Sequence, residues 1–285
     1  MQRIYSYKKD KGILYLVATP IGNLDDMTFR AVDTLKNVDI IYAEDTRNSG
    51  ILLNHFDIKT KLLSYHEFNK ELKEGEIIER LLNGDNVAII SDAGLPVISD
   101  PGFDIAKAAI KHDIPVTPIP GASAGISALI ASGLNPQPFT FIGFLDSKSI
   151  KRCKQLEDFK YYRDTLIFHE APHRLKETLT DMLKVLGDRR VVIGRELTKK
   201  FEEFIRGKIS EVIEVADSLK GEMIVLIEGY IEQEASDRDP MKEIESLVNL
   251  GYKPKESIKE VSSMLNLNKQ ELYKQYISFK EGKNS

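Results

Sequence analysis

A chain of 285 residues is too long for one small core, so we expect two domains and an appended segment. With 42% hydrophobic and 29% charged residues it has the composition of an ordinary globular protein, and its apolar runs are too short to cross a bilayer. The net charge of −4 argues against indiscriminate binding to nucleic acid, and the single cysteine, Cys153, excludes a disulfide within the chain and a cysteine-based zinc site. A reducing, cytoplasmic location is the simplest expectation.

The first 120 residues alternate between strand and helix patterns. Acidic Asp25 and Asp26 precede the first helix, and we expect them to cap it. Alternation of this kind predicts βαβ units and a mainly parallel sheet. The predicted strands cover residues 13–19, 38–44, 62–65, 87–92 and 116–119, and the predicted helices cover residues 28–36, 46–56, 71–82 and 103–111.

A second α/β region follows, with longer connections that leave room for antiparallel strand pairs. A helix of small residues opens it, and Ser123 is the expected cap of that helix. The predicted strands cover residues 139–144, 165–169, 191–196 and 223–230, and the predicted helices cover residues 122–132, 150–159, 174–186 and 210–219.

The end of the chain has a different pattern. An acidic stretch before Pro240 indicates a linker, and three short helices are predicted over 241–250, 255–265 and 269–279. Residues 255–276 resemble a helix-turn-helix, although small helical units of this kind also serve as simple packing modules.

Three apolar runs each end in a turn of small or polar residues: TPIGN after residue 18, SDAGLP after residue 90, and PGASAG after residue 119. Turns at the carboxyl edge of a parallel sheet form ligand sites, here built largely of backbone groups. The first turn lacks G-x-G-x-x-G, and no G-K-[ST] occurs, which argues against binding of nucleotide phosphates. Glu44 follows Gly22 by 22 residues, where a dinucleotide-binding protein holds a ribose, but without the glycine signature that role has little support.

These turns are part of an ordered series of motifs: VATPIGNLDDMTFRAV, AEDTR, SDAGLP, ISDPG, HEAPHR, GRELTK and GEM. From about Gly12 to Gly229 the chain resembles the RsmI family of 16S rRNA (cytidine-2′-O)-methyltransferases, in the tetrapyrrole-methylase-like class of S-adenosylmethionine enzymes. It departs from the family pattern at Leu95, where many members have Thr, and at Ala122, where Pro is common.

The resemblance implies an α/β fold of two methylase domains, residues 1–120 and 121–230, with the cofactor in the cleft between them. Residues 231–285 would be a linker and a helical RNA-binding module. It also implies a homodimer, no metal, no membrane, and 16S rRNA within the 30S subunit as partner. The residues implied to bind S-adenosylmethionine are Pro20, Asp92, Ala93, Gly94, Ser123, Ala124, Ala171, Leu197 and Glu222.

The implied reaction moves a methyl group to the ribose 2′-hydroxyl of a cytidine in the decoding region. Alignment of the reacting groups can supply ~7–11 kcal/mol of a barrier, whereas a general base adds only ~10²–10⁴-fold, so no prominent catalytic motif is required. Our candidate catalytic groups are the pairs Glu44/Arg47 and Glu170/Arg174, and Glu170 could instead form an inter-strand ion pair with Arg195. Two alternatives are a corrin or porphyrin C-methyltransferase on the same scaffold and a non-catalytic ribosome-assembly protein.

Overall fold

The computed structural model describes residues 1–7, 10–66, 70–98, 102–231, 239–249, 252–265 and 267–283. The chain divides into two units, Met1–Tyr230 and Ile231–Ser285. The larger unit contains two five-stranded sheets, and because both belong to one unit the division at residue 120 stays a prediction. Among these residues, no helix has both the length and the apolar character needed to cross a membrane.

The first sheet is entirely parallel, as the alternating pattern predicts. Its strand order is β3-β2-β4-β1-β5, and β2 and β4 are buried along their whole length because helices cover both faces. The strands are β1 (Leu14–Val17), β2 (Ile40–Ala43), β3 (Leu62–Ser64), β4 (Val87–Ile90) and β5 (Val116–Ile119), and the helices are α1 (Phe29–Asn37), α2 (Thr46–His55), α3 (Lys70–Leu82) and α4 (Gly102–Lys111).

The cap of α1 differs from the expected one. Asp25 and Asp26 lie in a separate short 3₁₀ turn, Leu24–Asp26, that ends before the helix begins. Thr28 caps α1 instead, because its hydroxyl accepts a hydrogen bond of 3.1 Å from the backbone N–H of Ala31.

The second sheet is mixed, with the order β6-β7-β10-β8-β9. Only β6 and β7 pair in parallel, and the other neighbours are antiparallel. β9 was not predicted, and the helix predicted over 210–219 ends early, at Ile213. The elements are α5 (Ala124–Ser132), β6 (Phe139–Phe144), α6 (Ser149–Phe159), β7 (Thr165–Glu170), α7 (Leu175–Leu186), β8 (Arg190–Arg195), β9 (Glu203–Lys208), α8 (Ile209–Ile213) and β10 (Met223–Ile227).

The two faces of the second sheet bury different cores. On one face, Phe168 and Val225 pack with residues of α6, α7 and α8. On the other, Ile167 and Ile224 pack with α5, and Ile21 from the loop after β1 joins this cluster. The first loop is thereby fixed against the second sheet, which positions the cleft between the two sheets.

In the part of the smaller unit that the structure describes, three helices share a core of their own. They are α9 (Pro240–Asn249), α10 (Pro254–Met264) and α11 (Lys269–Lys283), close to the predicted ranges. The buried hydrophobic residues of this core are Ile244, Ile258, Val261, Leu265, Leu272 and Tyr276. Most of the predicted acidic linker, residues 232–238, lies outside the described residues.

Candidate cofactor site

The loops after β1 and β4 are bonded to each other at the edge of the first sheet. The backbone N–H of Thr19 donates to Gly94 O at 2.9 Å, and the N–H of Gly94 donates to Thr19 O at 3.1 Å. Gly94 has a φ of +81°, and a Cβ there would approach Ile21 Cγ2 to 3.3 Å and the carbonyl oxygen of Ala122 to 3.6 Å. A glycine is favoured here because the backbone is left-handed and because all three turns meet at this point.

Three adjoining cavities, of about 650, 330 and 230 Å³, open at this junction and share Ile21 and Ala93 as lining residues. All of the residues predicted to bind the cofactor line one or more of them. The largest cavity is of the size that small-molecule ligands occupy. The predicted lining residues are Ala93, Ala124, Ala171, Leu197 and Glu222 in the largest cavity, Pro20 and Asp92 in the second, and Gly94 and Ser123 in the third.

A charged cluster that the sequence did not reveal lines the largest cavity. Lys199 Nζ lies 3.0 Å from Glu196 Oε1 and 3.1 Å from Glu222 Oε2. The pKa of Glu196 is lowered, first by the hydrogen bond from the backbone N–H of Glu222 and then by Lys199. Burial lowers the pKa of Lys199, but its bonds to both carboxylates outweigh this and raise it. Two carboxylates against one ammonium leave a net negative charge, which favours a cationic ligand group.

Polar groups at the other walls also fit a ligand. Ser123 occupies the N-cap position of α5, but the expected cap bond from its side chain is absent, so backbone N–H groups of the first turn remain available. In the second cavity, the buried hydroxyl of Ser49 has no hydrogen-bond partner among the described residues. These donors, the backbone-rich walls and the acidic cluster suit a ligand that carries a carboxylate, a ribose and a cationic centre.

Glu170 is buried, 3% exposed, and its carboxylate is fully engaged. Arg174 Nε lies 2.6 Å from Oε1, while the Thr178 hydroxyl donates to Oε2 at 2.5 Å and the backbone N–H of Ala171 donates to Oε1 at 2.7 Å. The predicted Glu170/Arg174 pair therefore exists as an internal ion pair at the wall of the largest cavity.

The alternative ion pair between Glu170 and Arg195 is not formed. Strand β10 lies between β7 and β8, so Met223 faces both residues across the sheet. Arg195 pairs instead with Glu203 of the neighbouring strand β9, with 2.8 Å between Nε and Oε2.

The other predicted pair, Glu44/Arg47, lies after β2 of the first sheet, whereas Glu170 ends β7 of the second sheet. Both side chains are exposed. Arg47 Nη2 is 2.8 Å from Asp45 Oδ2, and Asp45 caps α2. The backbone N–H of Asp45 donates to Asp92 Oδ1 at 3.3 Å, so this segment adjoins a predicted cofactor residue.

The two sheets and the cleft have counterparts among known proteins. Residues 13–213 match the family model described as Tetrapyrrole (Corrin/Porphyrin) Methylases. A uroporphyrin-III-C-methyltransferase from Thermus thermophilus has a TM-score of 0.55 at 19% identity, covering 76% of this chain and 94% of that chain. A cobalt precorrin-4 methyltransferase of cobalamin biosynthesis has a TM-score of 0.58 at 16% identity, with coverage of 76% and 94%. The fold is therefore that of the tetrapyrrole methylases, a class of S-adenosylmethionine-dependent methyltransferases.

Curated relatives are similar over nearly the whole length. Ribosomal RNA small subunit methyltransferase I of Streptococcus pyogenes serotype M18 is 51% identical over 282 residues, covering 97% of this chain and 98% of the relative. The protein of the same name from Bacillus subtilis strain 168 is 50% identical over 284 residues, covering 96% and 97%. The chain belongs to the ribosomal RNA small subunit methyltransferase I family, which confirms the resemblance stated from its motifs. It is a methyltransferase, and its cofactor is S-adenosylmethionine.

Proposed function

We propose that this protein methylates the ribose 2′-hydroxyl of a cytidine in the decoding region of 16S rRNA. The observation that carries the proposal is the convergence of all the predicted cofactor residues on adjoining cavities in a chain about half identical to methyltransferases named for small-subunit rRNA. The substrate form is the 30S subunit and the active species is a cytoplasmic homodimer.

When bound, S-adenosylmethionine supplies a methyl group that is already activated by its sulfonium. The remaining task of the chain is to orient groups and to exclude water. Asp92 with the backbone of Ala93 and Gly94 would hold the methionine part and the ribose, and Ser123 and Ala124 would flank them. From the second sheet, Ala171, Leu197 and Glu222 would close over the adenine. The carboxylates of Glu196 and Glu222 favour the positive charge of the sulfonium.

The two candidate catalytic pairs have different proposed roles. Glu170 and Arg174 hold the wall of the cavity, because both oxygens of the Glu170 carboxylate already accept hydrogen bonds. Glu44 and Arg47 are exposed beside the Asp92 loop, where the guanidinium can contact an RNA phosphate and the carboxylate can receive the hydroxyl proton.

No metal is required by this reaction, because the leaving group needs no Lewis acid. Within the described ranges, no group of three or more His, Cys, Asp or Glu side chains is placed to hold a metal ion.

The test uses purified protein, isotopically labelled S-adenosylmethionine and small subunits that lack the modification. We expect one labelled methyl group, mapped by mass spectrometry of nuclease fragments to the 2′-oxygen of a cytidine in the decoding region. A methyl group on a base, or transfer only to a tetrapyrrole offered in parallel, would overturn the proposal. Binding of small subunits without any binding of S-adenosylmethionine in calorimetry would support the non-catalytic alternative.

A further inference from the structure

A row of three aromatic side chains lines the cleft on the second sheet. The ring of His169 stacks on Phe144, with centroids 5.2 Å apart and planes inclined by 27°. The same ring makes a T-shaped contact with Phe141, with centroids 5.3 Å apart and planes inclined by 83°. Phe144 and His169 line the largest cavity, and Phe141 and His169 line the smallest.

A β-bulge places both phenylalanines on the same face. Side chains three residues apart on a regular strand point to opposite faces. Strand β6 contains an extra residue between Phe141 and Gly143, and Gly143 has a φ of +79°. Phe141 is therefore opposite Ile167 and Phe144 is opposite His169, which are two residues apart and share the cavity face. Bulges that re-aim side chains in this way are frequent beside active sites.

One face of the Phe144 ring is covered by His169, and the other face is exposed. Phe144 is 59% exposed although it is bonded into the sheet through its backbone and stacked on His169. Burial lowers the pKa of His169, although the charge of Glu222 opposes the shift, so the environment favours the neutral form of the imidazole that supports the ring. A neutral, apolar platform beside an acidic cluster suits a flat ring without charge.

We propose that the exposed face of Phe144 stacks on the base of the RNA nucleotide that accepts the methyl group. The inference rests on the proposed function, because a ribose hydroxyl can reach the cofactor cavity only if its nucleotide enters the cleft. Bases that leave their stack are commonly held by aromatic side chains. Phe144 lies on the same cavity as Ala171, Leu197 and Glu222, which are predicted to close over the cofactor.

Exposed lysines that follow Phe144 in the chain favour RNA, and not a second copy of the chain, as the partner of the ring. Strand β6 leads into α6, where Lys148 at the cap and Lys151 and Lys154 in the helix are exposed. Lys151 Nζ forms a long ion pair of 3.8 Å with Asp146 Oδ2, and the Lys151 side chain is 67% exposed, so it is accessible to a phosphate. An aromatic ring followed by exposed lysines is the combination that binds a base and its adjoining phosphates.

The test compares Phe144→Ala and Phe144→Trp with Phe201→Ala. Phe201 is 68% exposed and does not line any of the three cavities, so it is a matched control. Three quantities are measured for each variant: the Kd for S-adenosylmethionine by calorimetry, co-sedimentation with unmodified small subunits, and kcat/KM for their methylation. Light scattering gives the oligomeric mass.

For Phe144→Ala we expect kcat/KM and subunit binding to fall about 5- to 150-fold, the effect of losing one base–aromatic stack. The Kd for S-adenosylmethionine should stay within about twofold, and Phe144→Trp and Phe201→Ala should behave as the unaltered protein. An equal loss of cofactor affinity would show that the ring contacts the cofactor, and a fall in oligomeric mass would show that a second copy covers it. Either result, or equal losses in Phe144→Ala and Phe201→Ala, would overturn the inference. Absence of rRNA methylation by the unaltered protein would instead refute the proposed function.

Discussion

Glu196 and Gly221 depend on each other: the Glu196 carboxylate occupies the space in which a Cβ at position 221 would lie. Gly221 has a φ of +90° and Glu196 a φ of +50°, so both loops at this rim of the cavity are left-handed. The backbone N–H of Glu196 donates to Glu222 O at 2.9 Å, and the N–H of Glu222 donates to Glu196 Oε1 at 3.0 Å. The acidic cluster is therefore built by two loops that hold each other in place, and the strained backbone is that of Glu196, since a glycine adopts the left-handed region freely.

Replacement of Gly221 by Ala tests this dependence. The left-handed backbone alone should lower the free energy of unfolding by about 1–2 kcal/mol, and the displaced Glu196 should cost about 1 kcal/mol more because its hydrogen bond is broken. The affinity for S-adenosylmethionine should also fall, because the carboxylate leaves its position at the cavity. Denaturant unfolding and calorimetry measure the two effects.

Gly133→Ala is the matched control for that substitution. Gly133 has a φ of +79°, but a Cβ there would meet nothing within 4 Å. Gly133→Ala should lower the free energy of unfolding only by the cost of the left-handed backbone, and it should keep the full affinity for the cofactor. Equal losses of affinity in the two variants would show that the Glu196 carboxylate does not matter for binding.

The ion pair between Asp45 and Arg47 should be visible in a pH titration. Hydrogen bonds from the Arg47 side chain, and then from its backbone, lower the pKa of Asp45 to about 2. A carboxyl group with a lowered pKa stabilises the folded state above its unfolded value of about 3.9, and this contribution disappears as the pH falls through the folded value. In NMR titrations we expect Arg47→Ala to raise the pKa of Asp45 towards its ordinary value. Arg47→Lys should raise it less, because an ammonium keeps the charge without the two-pronged geometry. An unchanged value in Arg47→Ala would contradict the assignment.

Strands β2 and β4 of the first sheet could be predicted because each is a short, continuous apolar run, IIYA and VAII, and this pattern is typical of a strand that is buried on both faces. Strand β9 was missed for the opposite reason. Its sequence, EFIRGK, lies at the edge of the second sheet and alternates charged with partly buried residues. The Glu170–Arg195 pairing was wrong because nothing in the sequence indicates that β10, the last strand in the chain, inserts between β7 and β8.

The residues predicted to bind the cofactor lie in motifs with a fixed order along the chain, and the structure brings them to adjoining cavities, but their binding of the cofactor stays a prediction. The Glu196–Lys199–Glu222 cluster could not be predicted. It depends on left-handed backbone at Glu196 and Thr198 and on the hydrogen bonds between two loops that are distant in sequence. Its only signals in the sequence were the prediction of Glu222, which belongs to the cluster, and of Leu197, which follows Glu196 directly in the chain.

The role of Glu170 can be decided by Glu170→Gln. If the carboxylate holds the cavity wall, its removal leaves the half-buried Arg174 without an anion, and the free energy of unfolding should fall by about 3–5 kcal/mol. At a temperature where the variant is folded, kcat should fall by less than tenfold. A general base would behave differently, with a loss of about 10²–10⁴-fold in kcat and little change in stability.

Asp181→Asn provides the comparison for Glu170→Gln. Asp181 forms a second buried ion pair, with 2.7 Å between its Oδ2 and Arg152 Nη2, and does not line any of the three cavities. The Asp181→Asn substitution should destabilise the protein to a similar extent, while the Kd for S-adenosylmethionine stays unchanged. A catalytic defect of the same size in both variants would mean that reduced stability alone explains the effect of Glu170→Gln.

The helical unit at the end of the chain should contribute electrostatic affinity for the small subunit. Lys253, Lys255 and Lys259 are exposed on or beside α10. Replacing all three by Gln should weaken subunit binding and reduce its dependence on salt, by about 0.7–0.9 in the slope of log K against log salt for each RNA phosphate that is no longer neutralised. The affinity for S-adenosylmethionine should not change, because every residue proposed to bind it lies in Met1–Tyr230.

The control variant changes the net charge by the same amount within the larger unit. Three exposed lysines, Lys36, Lys107 and Lys111, are replaced by Gln. Filter binding across a salt series measures both triple variants. Equal slopes would mean that net charge, and not this helical unit, sets the affinity.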